Sequence, residues 1–174
     1  MLTERSRTIK LALTLALSCL LLVFATSDSA LPFQFEDYQW GQPLAEAMKK
    51  LTTDKKKFVS SDYGLTYNDN ILEKPCEVFL VFTPQTHLLS FISIVWTDTS
   101  AAEQLKKEFT KKYGQAYLAL PDIYIWVGAD KDISNCLYLN FAAGTSRLLY
   151  FGGEYYEKYT QEITEQVNNN KEKK

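Results

Sequence analysis

The chain has 174 residues, with 19 Lys and Arg against 21 Asp and Glu, a single His and three Cys. That length holds one domain, or two small units sharing a core, and 46% apolar residues with seven Gly and five Pro exclude disordered, collagen-like and low-complexity classes. A net charge of −2 removes the electrostatic term on which nucleic-acid binders depend, and a lone imidazole excludes His-based metal clusters.

Arg5, Arg7 and Lys10 precede the uncharged, leucine-rich run Leu11–Ala25, and small residues follow. A basic start, a short apolar centre and a small-residue exit predict a secretory signal peptide over 1–27, cut after Ser27, with a cut after Ala30 as second choice. As a helix the run spans roughly 22 Å, short of a ~30 Å hydrocarbon core, which weighs against the alternative of a retained anchor. Removal leaves 147 residues with 16 basic and 20 acidic side chains, a net charge near −4. The expected destination is the periplasm or the cell exterior. Cys76 and Cys136 would then sit in an oxidising compartment, which predicts one disulfide between them; two buried thiols are the alternative.

The mature region, 28–167, reads as one α+β domain, with 168–174 a polar, disordered tail. Pro32–Trp40 alternates loosely, as in a short leading strand. Pro43 opens a helix whose Leu44, Ala47, Met48 and Leu51 form one apolar stripe. Strand-like runs follow at Gly64–Asn68, Cys76–Phe82 and Leu88–Trp96, the last two joined by Thr83-Pro84-Gln85-Thr86-His87. A second helix starts at Ser100, which with Glu103 forms a capping box. Its stripe is Ala102, Leu105, Phe109 and Tyr113, and Gly114 ends it. Three more runs, Ile123–Val127, Cys136–Phe141 and Leu148–Phe151, precede a last helix over 154–167.

Helix–strand–strand–strand thus occurs twice, in units of about 40–97 and 98–153. Cys76–Phe91 lies over Cys136–Phe151 without a gap at an offset of 60, with four identities. The helices align at an offset of 58, Leu44 over Ala102 and Leu51 over Phe109. The expected fold class is α+β: two tandem α-β-β-β units forming an antiparallel sheet with helices on one face, plus a C-terminal helix. Cys76 and Cys136 head the middle strands of their units, so a bridge requires those strand ends to approach within ~7 Å across sheets or through loops.

Residues for chemistry are sparse. His87 stands in a hairpin loop with no acid or nucleophile beside it in sequence. Asp130-Lys131-Asp132 begins like a calcium loop, but Asn135 replaces its glycine and Phe141 its bidentate glutamate. That segment and Asn68-Asp69-Asn70 read as turns. No phosphate loop and no zinc spacing occurs, so no metal or cofactor is expected. Glu154 and Glu157 sit where acids suit a helix start.

Two features point to binding. If Ile123, Ile125, Val127, Leu137, Leu139 and Phe141 face the helices, then Tyr124, Trp126 and Tyr138, with Tyr150, form an outward aromatic face suited to a protein or ligand. Lys49, Lys50, Lys55, Lys56 and Lys57 at the first helix end, with Lys106, Lys107, Lys111 and Lys112 on the second, form a basic face suited to anionic lipid or glycan.

Trp40-Gly41 before a Pro-started helix, a meander carrying Tyr67 and Phe82, and a helix ending Tyr113-Gly114 resemble uncharacterised exported bacterial proteins. The tandem units are similar to the β-lactamase-inhibitor-protein architecture, a resemblance that implies a concave aromatic-rich sheet gripping a protein. The chain departs from that family in having no disulfide within each unit. The reading that follows is a non-enzymatic periplasmic or secreted binding protein, with no nucleic acid and at most a peripheral membrane contact. The alternatives are an envelope-surface protein held by its lysines and a hydrolase with converging carboxylates.

Overall fold

The computed structural model describes residues 33–128, 131, 135–142 and 144–171; the expected signal peptide and the Asp130 and Asp132 turn residues lie outside them. Leucine and alanine spaced for one helical face give α1 (Leu44–Thr53) and α2 (Ser100–Tyr113), which bury Ala47 and Leu51, and Ala101, Ala102, Leu105 and Phe109. Between and after them come β1 (Phe58–Ser61), β2 (Gly64–Ile71), β3 (Lys74–Phe82), β4 (Leu89–Trp96), β5 (Leu118–Leu120), β6 (Ile123–Val127), β7 (Cys136–Ala142) and β8 (Thr145–Phe151), and α3 (Glu154–Lys171) closes the chain. The strands form one antiparallel sheet in the order β1-β2-β3-β4-β8-β7-β6-β5. The α+β class and the C-terminal helix are as expected, and each unit carries four strands where three were read. The extra strands, β1 and β5, are three or four residues long and occupy the two edges.

The strand order is pseudo-symmetric: β1–β4 and β5–β8 run inward from opposite edges and meet where β4 pairs with β8, from Phe91 against Phe151 to Trp96 against Ser146. The helices keep the offset of 58, since Ala47 and Leu51 match Leu105 and Phe109 in burial. Of the strands, β4 and β8 keep the faces that 60 assigns, with Phe91 and Phe151 both toward α3, but β2 and β3 do not keep it against β6 and β7. Leu65, Tyr67, Val78 and Leu80 face the helices, and their counterparts are Tyr124, Trp126, Leu137 and Leu139, an offset of 59. Strand side chains alternate faces, so a slip of one residue turns every one of them over.

That slip bears on the cysteines. Cys76 belongs to the helix-covered face, whereas Cys136 precedes the inward Leu137 and belongs to the other. Two strands, β4 and β8, lie between β3 and β7, so strand spacing alone separates the two residues by roughly 14 Å. The expected Cys76–Cys136 bridge is therefore not formed. The Cys76 thiol donates to the Asp69 carbonyl at 3.5 Å, and burial pushes its pKa up to about 11. A reductant is expected to leave the melting temperature unchanged, and Cys76 to resist a thiol reagent at pH 8 until the protein is unfolded. A melting temperature that falls on reduction would contradict this arrangement.

Three local expectations also change. The segment before α1 forms no strand: Phe33, Phe35 and Tyr38 are buried, with Phe33 edge-on to Tyr113 at 4.9 Å and Phe35 at 5.6 Å from Tyr150. Asn68-Asp69-Asn70 lies within β2, where the Asp69 carboxylate pairs with Lys56; the turn falls at Leu72-Glu73, both with positive φ. The start of α2 is capped from Asp98, whose Oδ1 accepts from Ser100 N–H at 2.8 Å and Ser100 Oγ at 2.6 Å, in place of a Ser100–Glu103 box. At the other end of the chain Asn168–Lys171 continue α3 where a tail was expected, and 172–174 lie outside the described residues.

Trp40-Gly41 has a packing role. The indole N–H donates to the Phe33 carbonyl at 2.8 Å, and the ring lies over Gly152, where a Cβ would come within 2.7 Å of it. Gly41, at φ +76°, leaves room for the Tyr155 ring of α3.

Candidate functional site

One face of the sheet is the core. Leu65, Tyr67, Val78, Leu80, Ile92, Ile94, Trp96, Leu137, Leu139 and Leu148 join Leu51, Leu105 and Phe109 in a single buried cluster. The expected aromatic face is divided by this core. Trp126 is 2% exposed, its ring edge-on to Phe109 of α2 at 5.5 Å and its indole N–H donating to the Gly114 carbonyl at 3.1 Å. Tyr124 packs on the same side, stacked 6.1 Å from Trp126, and Tyr150 is buried against Phe35. Burial raises the Tyr150 pKa above the usual phenol range. Of the four residues, Tyr138 alone lies on the opposite face. The alternation within β6 is therefore the reverse of that expected: Tyr124 and Trp126 point to the helix, and Ile123, Ile125 and Val127 point away from it.

The opposite face carries two layers. Its upper end is closed by α3, where Tyr156 and Tyr159 stand edge-on to Phe91 at 5.9 and 5.3 Å and Tyr156 meets Phe151 at 4.6 Å. Glu162, 5% exposed, fastens the helix to the β3–β4 loop by accepting from Gln85 N–H at 2.6 Å and Thr86 Oγ at 2.8 Å. Only α1 and α2 thus share a face; α3 crosses the other one.

Below α3 the sheet continues without a covering helix among the described residues. Register places Phe79, Ser93, Leu149, Tyr138, Ile125 and Leu118 in one row from β3 to β5, with Val95, Arg147, Asn140, Ile123 and Leu120 in the next. From Phe79 to Ile125 the first row is half-buried, and Leu118 and Leu120 are exposed. The result is a broad apolar strip with Tyr138 at its centre and Arg147, Asn140 and Glu77 along its border. Sequence reading missed Phe79, Leu149, Ile123 and Ile125 as surface residues because large apolar side chains serve either face of a strand.

The expected basic face is partly consumed by internal contacts. Lys106 donates to the Tyr124 hydroxyl at 2.7 Å and sits 4.3 Å from its ring centre. Lys50 pairs with Asp54 at 3.3 Å and Asp37 at 3.6 Å, and Lys56 with Asp69 and Glu36. Lys112 lies over the Tyr113 ring at 4.8 Å. Lys49, Lys107 and Lys111 stand exposed.

The chemistry-bearing residues are dispersed. His87 is an exposed loop residue at φ +53°, and Glu154 and Glu157 are exposed at the start of α3. Burial raises the Glu36 pKa, an effect that Lys56 opposes. Asp69, Cys76 and Glu77 border an open hollow at the ends of β2 and β3, with the asparagines of β2 beside them. Among the described residues no group of three or more His, Cys, Asp or Glu is placed to hold a metal ion, and no helix is long and apolar enough to cross a membrane. No family model, no curated protein and no solved structure matches the chain.

Proposed function

We propose that the chain is a non-catalytic protein, exported to the periplasm or the cell exterior, that binds another protein through the sheet face below α3. The observation that carries this reading is the apolar strip from Phe79 across Leu149 and Tyr138 to Ile125. A soluble chain seldom leaves so continuous a patch open unless something docks on it. A large aromatic at the centre of a strip with a polar border is the usual layout of a protein contact. Export is supported by the basic start and apolar run ahead of Ser27. The lysine reading loses support because Lys50, Lys56 and Lys106 are engaged within the molecule.

A photoreactive side chain at position 138, introduced in the exporting cell, should form an adduct with a different polypeptide, and the same group at position 111 should not. Tyr138→Asp should abolish the contact while changing stability by less than about 1 kcal/mol, because the site is half open. Adducts from position 111 and none from 138 would move the contact to the lysine face and overturn the reading.

A further inference from the structure

We infer that β5 is a self-association edge: the β5 strands of two copies pair antiparallel about a two-fold axis at Ala119 and join two eight-stranded sheets into one. This inference stands apart from the sheet-face reading, because it uses the rim of the sheet. β5 is hydrogen-bonded on one side only, to β6, and all three of its residues are exposed. Tyr117 is 63% exposed, Leu118 39% and Leu120 46%, so half of the large apolar side chains exposed among the described residues fall within four consecutive positions. Bare edge strands are normally protected by charge, because an open row of peptide groups recruits other strands. Gln115–Leu120 contains no charge, whereas the opposite edge, β1, is bracketed by Lys55, Lys56, Lys57 and Asp62.

What identifies the partner as a second copy is self-complementarity. A two-fold interface places residue i against j and j against i. Leu118-Ala119-Leu120 is symmetric about its centre, so the axis sets Leu118 against Leu120 of the other copy twice, apolar on apolar. In the same register Tyr117 falls opposite Pro121, a ring against a ring. Ile125 and Ile123 lie beside Leu118 and Leu120 on the adjoining strand, and they carry the apolar strip across the seam. No like charges meet anywhere along it. So short a seam belongs to the small end of the interface scale, the class of weak and transient contacts, so monomer and dimer are expected to coexist in the micromolar-to-millimolar range.

The test is sedimentation of the protein as the producing cell processes it, alone and with two variants. The wild type should pass from monomer to dimer across that range, and Leu118→Lys with Leu120→Lys should remain monomeric at an unchanged melting temperature. Ala119→Cys, oxidised in air, should give a covalent dimer, because a central antiparallel pair brings its Cα atoms to about 4.5–5.5 Å, within disulfide reach. This arm remains decisive if the double variant fails to fold. A wild type still monomeric at about 1 mM, the weak end of that range, would overturn the inference. So would a dimer that survives the lysine substitutions, or the absence of a covalent Ala119→Cys dimer.

Discussion

Trp126→Ala is expected to lower stability by about 3–5 kcal/mol, the cost of emptying a buried aromatic site. For a domain of this size that is a fall of roughly 10–20 °C in melting temperature. Three losses combine. The ring's edge-on contact with Phe109 and its stack with Tyr124 disappear. The Gly114 carbonyl at the end of α2 loses the indole donor at 3.1 Å. The void also lies between α2 and β6, where relaxation would pull the helix off the sheet. Tyr138→Ala, on the opposite face of the neighbouring strand, supplies the control and should cost less than about 1 kcal/mol, since the side chain is half exposed. Thermal melts of the two variants check the pair. A Trp126→Ala protein that melts within a few degrees of wild type would mean that α2 does not seat on β6 through this ring.

That contrast also marks where the sequence was legible. The helices were, because α1 and α2 each carry one stripe of apolar residues among charges, and only one side of such a cylinder can be buried. β7 was readable too: Leu137 and Leu139 alternate with Tyr138 and Asn140, so polarity selects the inner series. β6 offers no such choice. In Ile-Tyr-Ile-Trp-Val both series are apolar, and the face is decided by contacts distant in sequence: Phe109, the Gly114 carbonyl and the Lys106 ammonium all reach for Tyr124 or Trp126. The aromatics turn inward because they are long enough to meet α2 and carry polar tips that find partners there. The isoleucines are left to form the open strip.

The offset of 60 failed for a related reason. Aligning Cys76 with Cys136 yields four identities, but identity is blind to the pleat, and burial assigns β2 and β3 an offset of 59 to β6 and β7. The expected disulfide rested on two cysteines in an oxidising compartment, a count that is blind to the sheet faces on which they stand. β1 and β5 were hidden because strands of three or four residues show too little alternation to register, though as edges they set where the sheet can grow. The closing contact of α3 was illegible for a third reason. A glutamate at a half-polar helical position gives no sign that a loop 77 residues earlier will donate to it.

That glutamate carries the remaining large effect. Glu162→Ala should destabilise the protein by about 1.5–3 kcal/mol, the worth of hydrogen bonds to a charged acceptor, because it removes the buried carboxylate to which Gln85 N–H and the Thr86 hydroxyl and N–H donate. Glu162→Gln should cost about 1–2 kcal/mol, since one oxygen still accepts while the amide turns N–H groups toward another donor. The pH dependence follows from the balance at the carboxyl. Burial raises its pKa, but the hydrogen bonds from Gln85 N–H and from the Thr86 hydroxyl and N–H outweigh burial, and the net shift is downward from 4.5. A depressed pKa means that the unfolded chain takes up the proton first. The contribution of Glu162 is therefore fully present above the unfolded value and drains away as pH falls through the folded one. Melting curves from about pH 7 to about pH 3 should show the wild-type advantage over Glu162→Gln shrinking across the acid limb. Hydrogen exchange locates the effect. In the variant at neutral pH, amides of α3 should exchange faster while those of β4 and β8 hold, because the clip joins the helix to the loop and not to the sheet. An advantage that persists undiminished at about pH 3, below the carboxylate range, would mean that the charge at Glu162 is not what docks α3.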